Sequence, residues 1–128
     1  MTESDIKQAT YPTGSKIERR LFADPGFELT GMIGGANPVT VEFDVDGFPA
    51  AFHARGSWWR VYVGIHGGDP FTVKEQLMSI EAFYDDWPAA GRIPLDEAYA
   101  FIEQGIAMFR KIRELSGGNF EKTERRLG

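Results

Sequence analysis

The chain contains no cysteine. That absence removes structural disulfides and thiolate metal sites and fits a reducing, cytoplasmic setting. Histidine is scarce: His53 and His66 are the only two copies, and they lack the H-x-x-x-H spacing of a helical metal site, so neither metal nor cofactor is expected. Cationic residues are the minority charge, 14 Lys and Arg against 19 Asp and Glu, for a formal net charge of −5. A general nucleic-acid binder has to neutralise phosphates with Lys and Arg, so that class is set aside, and an acidic surface favours a basic partner. No stretch approaches the ~18 consecutive apolar residues of a membrane helix. The opening Met1-Thr2-Glu3-Ser4-Asp5 has neither a basic region nor an apolar core, so no signal peptide is expected. Internal repeats and low-complexity tracts are also missing.

What is present is an ordinary globular composition, 42% hydrophobic and 26% charged over 128 residues. That length suits one domain with a core of its own. Residues 1–14 read as a flexible lead-in, 15–118 as a single α+β domain and 119–128 as a C-terminal extension.

The organising stretch is Val39 to Ile65. Val39-Thr40-Val41-Glu42-Phe43-Asp44-Val45 alternates apolar and polar without interruption, the pattern of a strand with one buried face. Asp46-Gly47 supplies the residue types that a type I′ turn needs for positive φ at both central positions. Pairing Val45 with Phe48 across it sets Phe43 opposite Ala50, Val41 opposite Phe52 and Val39 opposite Ala54. A second turn at Arg55-Gly56 pairs Phe52 with Trp59, Ala50 with Val61 and Phe48 with Val63. Every apolar side chain then shares one face, and a one-residue slip inverts it.

Around this meander the signals are more varied. Lys16–Phe22 fits a strand or a short helix. Asp24-Pro25-Gly26 is a turn, and Phe27–Ile33 is a strand with Phe27, Leu29 and Ile33 on one side. Gly34-Gly35-Ala36-Asn37-Pro38 separates it from the meander. Beyond Gly67-Gly68-Asp69-Pro70, a capping box at Thr72–Glu75 and the stripe Val73, Leu77, Ile80, Tyr84 and Trp87 predict a helix that Pro88 and Gly91 stop. A second helix follows Pro94, with Asp96 and Glu97 complementing its dipole. Its apolar stripe is Ala98, Phe101, Gly105, Met108, Ile112 and Leu115, widened by Leu95, Ile102 and Phe109. Gly105 on that stripe predicts a close approach to the sheet. The expected fold is therefore α+β: an antiparallel meander of four to five strands packed against two C-terminal helices.

The same register predicts the other face of the meander: Thr40, His53 and Trp58 in one row, then Glu42, Ala51 and Arg60, then Asp44, Pro49 and Tyr62. Glu42 and Arg60 flank a small Ala, so a charge-assisted pair is expected above it. Trp, Tyr and Arg are the residues enriched where proteins bind proteins. This face, with Glu42, His53, Trp58, Arg60 and Tyr62, is the candidate binding surface of a non-catalytic, acidic adaptor, inhibitor or immunity-type protein. The expected partner is another protein, basic in character, with no nucleic acid and no membrane.

The competing reading is a small enzyme or ligand binder with a pocket between sheet and helices. His66 or His53 is then the general base, with Asp69 or Glu42 orienting it. The glycine-rich Gly64–Asp69 connector lacks a P-loop lysine and a dinucleotide pattern, so tight backbone geometry explains it better than a phosphate cradle. Asp44-Val45-Asp46-Gly47 lacks the remaining ligands of a calcium loop. Asp85 and Asp86 beside Phe83, Tyr84 and Trp87 form an acidic-aromatic rim suited to a basic peptide.

Overall fold

The computed structural model describes residues 14–33 and 39–117. The expected lead-in before residue 14, the 34–38 connector and the extension from residue 119 lie outside the described residues. Within them the chain runs α1 (Lys16–Phe22), β1 (Phe27–Ile33), β2 (Val39–Val45), β3 (Phe48–Arg55), β4 (Trp58–Gly64), a 3₁₀ turn (Val73–Glu75), β5 (Gln76–Phe83), a second 3₁₀ turn (Ala89–Arg92) and α2 (Leu95–Leu115). The five strands form one sheet in sequence order, each antiparallel to its neighbour. The α+β class and the antiparallel meander hold, with two helices beside the sheet.

The β2–β3 hairpin has the expected register in every pair, from Val45↔Phe48 to Val39↔Ala54. Asp46 and Gly47 both take positive φ, 52° and 88°, as a type I′ turn demands. The β3–β4 hairpin differs by two residues. Ala54 faces Trp59, Phe52 faces Val61 and Ala50 faces Val63, and Arg55↔Trp58 closes the loop. The turn residues are Gly56 and Ser57, with Gly56 at φ 67°. A glycine with positive φ at the first central position is the requirement of a type II′ turn, and Gly-Ser meets it where Arg-Gly does not. Because side chains alternate with a period of two, this shift moves partners but leaves every residue on its expected face. Trp59 is 4% exposed and Trp58 47%.

The segment expected as the first C-terminal helix is instead the edge strand β5. Met78-Ser79-Ile80-Glu81-Ala82 alternates as well as the longer stripe fits a helix, and β4 needs a partner along its open edge. The end members of the helical stripe are left outside the core: Val73 is 80% exposed and Trp87 76%. The Thr72–Glu75 box yields only a 3₁₀ turn with no side-chain cap.

The second helix comes from the segment that was ambiguous. Ser15-Lys16-Ile17-Glu18 opens α1: the Ser15 hydroxyl accepts from the Glu18 N–H at 3.1 Å, and the Glu18 carboxylate accepts from the Gly14 N–H. The Ser15 bond satisfies an amide that the helix start leaves open, and the Glu18 bond fixes the residue before the cap. In β1 an irregularity between Leu29 and Gly31 changes the register, pairing Met32 with Val41 and Ile33 with Thr40 along the backbone.

The core lies between the inner sheet face and α2, which buries Ala98, Tyr99, Ile102, Gly105, Ile106 and Phe109. This stripe is rotated from the expected one; Met108 and Leu115 are exposed. Gly105 makes the predicted close approach. A Cβ placed there would lie 2.6 Å from Val61 Cγ1 in the central part of the sheet. Phe109 meets Phe48 edge-on at 5.2 Å, and Phe101 stacks on Trp59 at 4.5 Å. Opposite this contact, α2 carries Arg110, which forks onto both Asp24 (2.6 and 2.9 Å) and Asp46 (2.9 Å twice). One guanidinium thus ties the α1–β1 turn and the β2–β3 turn to the final helix.

Candidate functional site

With both helices on the inner side, the outer face of the sheet is the surface to read. Its rows follow from the observed register. Thr40, His53, Arg60 and Glu81 lie in one line across β2 to β5; Glu42, Ala51, Tyr62 and Ser79 lie in the next; Arg55, Trp58 and Phe83 lie at the turn end. The five expected binding residues therefore share one face, but their pairing differs. Arg60 bonds Glu81 at 2.7 Å and not Glu42, because the two-residue shift puts Tyr62, rather than Arg60, beyond Ala51. Glu42 lies over Gly31, where a Cβ would sit 3.7–3.8 Å from its side chain. The Tyr62 side chain first, and Glu81 after it, raise the Arg60 guanidinium above its ordinary value.

His53, Arg55, Trp58 and Arg60 line a concavity of about 230 Å³. His53 Nδ1 lies 3.1 Å from the Thr40 hydroxyl. Burial, and then the charges of Arg55 and Arg60, push His53 below the ordinary imidazole value, since both causes disfavour the protonated ring. In the sequence Arg55 stands only as a turn residue. It is exposed, and among the described residues it has no ion-pair partner. Reading Gly56-Ser57 as a type II′ loop would have brought it to this site, directly opposite Trp58.

The aromatic groups divide between the two ends of the face. Trp58 and Phe83 meet edge-on at 5.8 Å with Phe83 56% exposed. Tyr62 and Phe71 meet at 5.7 Å. Trp87 approaches the β3–β4 turn, where a Cβ on Gly56 would lie 3.1 Å from its ring. Of the expected acidic-aromatic rim, Tyr84 turns away toward α2: its hydroxyl donates to Glu97 at 2.8 Å and its ring meets Phe101.

Charge is also divided. Glu28 faces Asp44 directly across β1 and β2, with Glu42 in the adjoining row, and among the described residues none of the three carboxylates is in an ion pair. The β1–β2 half of the outer face is therefore acidic, and the β3–β4 half carries cations and indole.

The remaining catalytic candidates sit elsewhere. His66 is exposed, stacks on Phe48 at 3.9 Å and has Nδ1 3.0 Å from the Gly47 carbonyl, which requires that nitrogen to be the donor. The Asp69 carboxylate accepts from the Phe71 N–H at 2.9 Å and the Thr72 hydroxyl at 3.2 Å, organising its own loop. A larger groove of about 420 Å³ runs between α1 and α2, past Arg20, Glu103 and Arg110. Among the described residues no group of His, Asp or Glu is arranged to hold a metal ion, and no helix is long and apolar enough to cross a membrane. Comparison of the chain with protein-family models, with curated proteins and with solved structures gives no match.

Proposed function

We propose that this protein is a non-catalytic binding module of the cytoplasm, an adaptor or an inhibitor or immunity-type protein, that engages a second protein through the outer face of its sheet. The observation that carries the reading is the edge-on pair Trp58 and Phe83, 47% and 56% exposed, on a face over which neither described helix lies. Two large rings left in water cost the hydrophobic stabilisation that burial would give, and such rings flanked by Arg are the anchors of protein interfaces. Glu28, Glu42 and Asp44 on the neighbouring half suit basic residues of the partner. The surroundings of His53 favour binding over catalysis. Its near neighbours are a hydroxyl and two guanidinium groups, whereas a general base is ordinarily oriented by a carboxylate.

The test is affinity capture from the native cell with wild-type protein and with Trp58→Ala, followed by hydrogen exchange on the purified complex. The expected result is a partner lost with Trp58→Ala, whose binding slows exchange in β3 and β4. Equal capture by the variant overturns the assignment of this face.

A further inference from the structure

Two concave regions carry charge, and they differ in how that charge is spent. In the groove between α1 and α2, Arg20 forks onto Glu103 at 2.7 and 3.0 Å, and Arg110 is held by Asp24 and Asp46. Its cations already have carboxylates. In the outer-face concavity Arg60 is committed to Glu81, but Arg55 is not neutralised by any described residue. Arg55 lies directly opposite Trp58 across β3 and β4, and His53, the preceding residue of β3 on this face, lies opposite Arg60; these four side chains line the cup.

We infer that this cup receives a single carboxylate side chain of the partner protein, an Asp or Glu flanked by apolar residues, with the carboxylate on Arg55 and its stem against Trp58. The inference rests on the outer-face reading and names the partner's chemistry at that site. Three features of the cup specify the ligand. A planar guanidinium fork matches a carboxylate with two parallel hydrogen bonds. A volume of about 230 Å³ exceeds a lone ion and accommodates a short stem beside the anion. The indole wall rewards methylene groups and apolar flanks. A polyanion is disfavoured because Glu28, Glu42 and Asp44 lie on the same face, so one acid among neutral or basic residues fits where a nucleic-acid strand does not. The net charge of −5 governs long-range steering, whereas the contact is decided by groups within a Debye length of about 8 Å.

His53 reports occupancy. The groups facing it are Thr40 from β2, Arg60 from β4 and Arg55 from its own strand, with Glu81 beyond Arg60. A carboxylate entering the cup offsets the two cations and raises the His53 titration midpoint.

The experiment is an NMR titration of the whole protein with a blocked peptide carrying one glutamate between leucines, and with the same peptide carrying glutamine. The expected result is that the glutamate peptide perturbs His53, Arg55 and the Trp58 indole, raises the His53 midpoint and binds at least ~10-fold more tightly than its glutamine counterpart. Arg55→Gln removes the difference between the peptides. Equal binding of the two peptides, or a difference that survives Arg55→Gln, overturns the inference. So do inorganic phosphate producing the same perturbations at the same concentration, or a thymidine oligonucleotide binding more tightly than the peptide. Loss of the cellular partner in Trp58→Ala without a glutamate preference overturns the carboxylate and leaves the outer-face reading standing. A glutamate preference with unchanged capture overturns the outer-face reading instead.

Discussion

The two faces of this sheet are made by the same strands, residue against alternate residue, yet they solve opposite problems. On the inner side Val41, Phe52 and Val61 are fully excluded from water and α2 closes over them. On the outer side the intervening residues include Arg55, Trp58 and Arg60, all exposed. The difference teaches that alternation is a strong determinant of facing and a weak one of partners. Along an unbroken strand a residue's side of the sheet depends on parity alone, while its neighbours depend on turn chemistry.

Substitutions on the two faces should therefore differ most in stability. Phe52→Ala removes a ring with no exposed surface, and a loss of about 3–5 kcal/mol is expected in denaturant unfolding. A loss under ~1.5 kcal/mol would mean that α2 collapses into the space, and the contrast between the faces would shrink accordingly.

Arg110→Ala probes how the inner assembly is locked at its periphery. Its paired forks onto Asp24 and Asp46 bridge elements far apart in sequence. The pairs are partly open to water, so screening is applied and a loss of about 1–2 kcal/mol is expected. The same pairing sets an acid limit. The hydrogen bonds from Arg110, opposed by partial burial and assisted by the Gly26 N–H, hold Asp24 below the usual carboxylate range. The unfolded chain then takes up a proton that the folded one refuses, so this contribution is present above the ordinary carboxylate value and fades as pH falls through the folded one. Arg110→Ala should flatten that part of the stability–pH curve.

Gly105→Ala sharpens the comparison because two rules give opposite signs. Helix propensity favours Ala over Gly by about 0.8–1.0 kcal/mol. The added Cβ meets three Val61 atoms at 2.6, 3.0 and 3.0 Å, and overpacking costs about 1–3 kcal/mol. Val61 is branched and held in a central strand, so it has little room to yield, and a net loss of about 1 kcal/mol is expected. A gain would show that α2 stands off the sheet.

Trp58→Ala is the outer-face counterpart of Phe52→Ala. With 47% exposure and one edge-on contact to Phe83, the ring contributes as a cross-strand pair, about 0.2–1 kcal/mol. Little change in unfolding with a lost partner would separate binding from folding at this position.

Legibility in the sequence follows the same division. Facing in β2 to β4, the β2–β3 register and the close approach at Gly105 are readable because each depends on local features: parity, a turn dipeptide, a missing Cβ. The Arg60–Glu81 bond was not. It required the II′ loop at Gly56-Ser57 and also β5 as a strand, and Val73–Trp87 fits a 3.6-residue period while Met78–Ala82 within it fits a two-residue one. Only the open edge of β4 breaks that tie, and an open edge is a property of the assembled sheet. Arg110 lies off the apolar stripe of α2, but its partners, Asp24 and Asp46, lie in two turns that only the fold brings to it. The Ser15–Glu18 box was available and decides α1. Parity alone puts His53 and Trp58 on the outer face, whereas Arg55 joins them only when the turn is centred on Gly56-Ser57.

The smallest expected effect is the most specific to the outer face. His53 is held below the ordinary imidazole value by burial, then by Arg55 and Arg60. Folding therefore excludes a proton that the unfolded chain accepts. Stability is full above the ordinary imidazole value, declines as pH falls from there toward the folded value, and levels off once both states are protonated. His53→Asn keeps a partner for the Thr40 hydroxyl and should abolish this slope, leaving the acid limit set at Asp24 in its separate, lower window. Arg55→Gln should shrink the slope without removing it, since burial remains the larger cause. Unfolding curves for the two variants across that interval distinguish the alternatives. If Arg55→Gln leaves the slope intact, the cup's field at His53 comes from Arg60 alone, and Arg60 is already committed to Glu81.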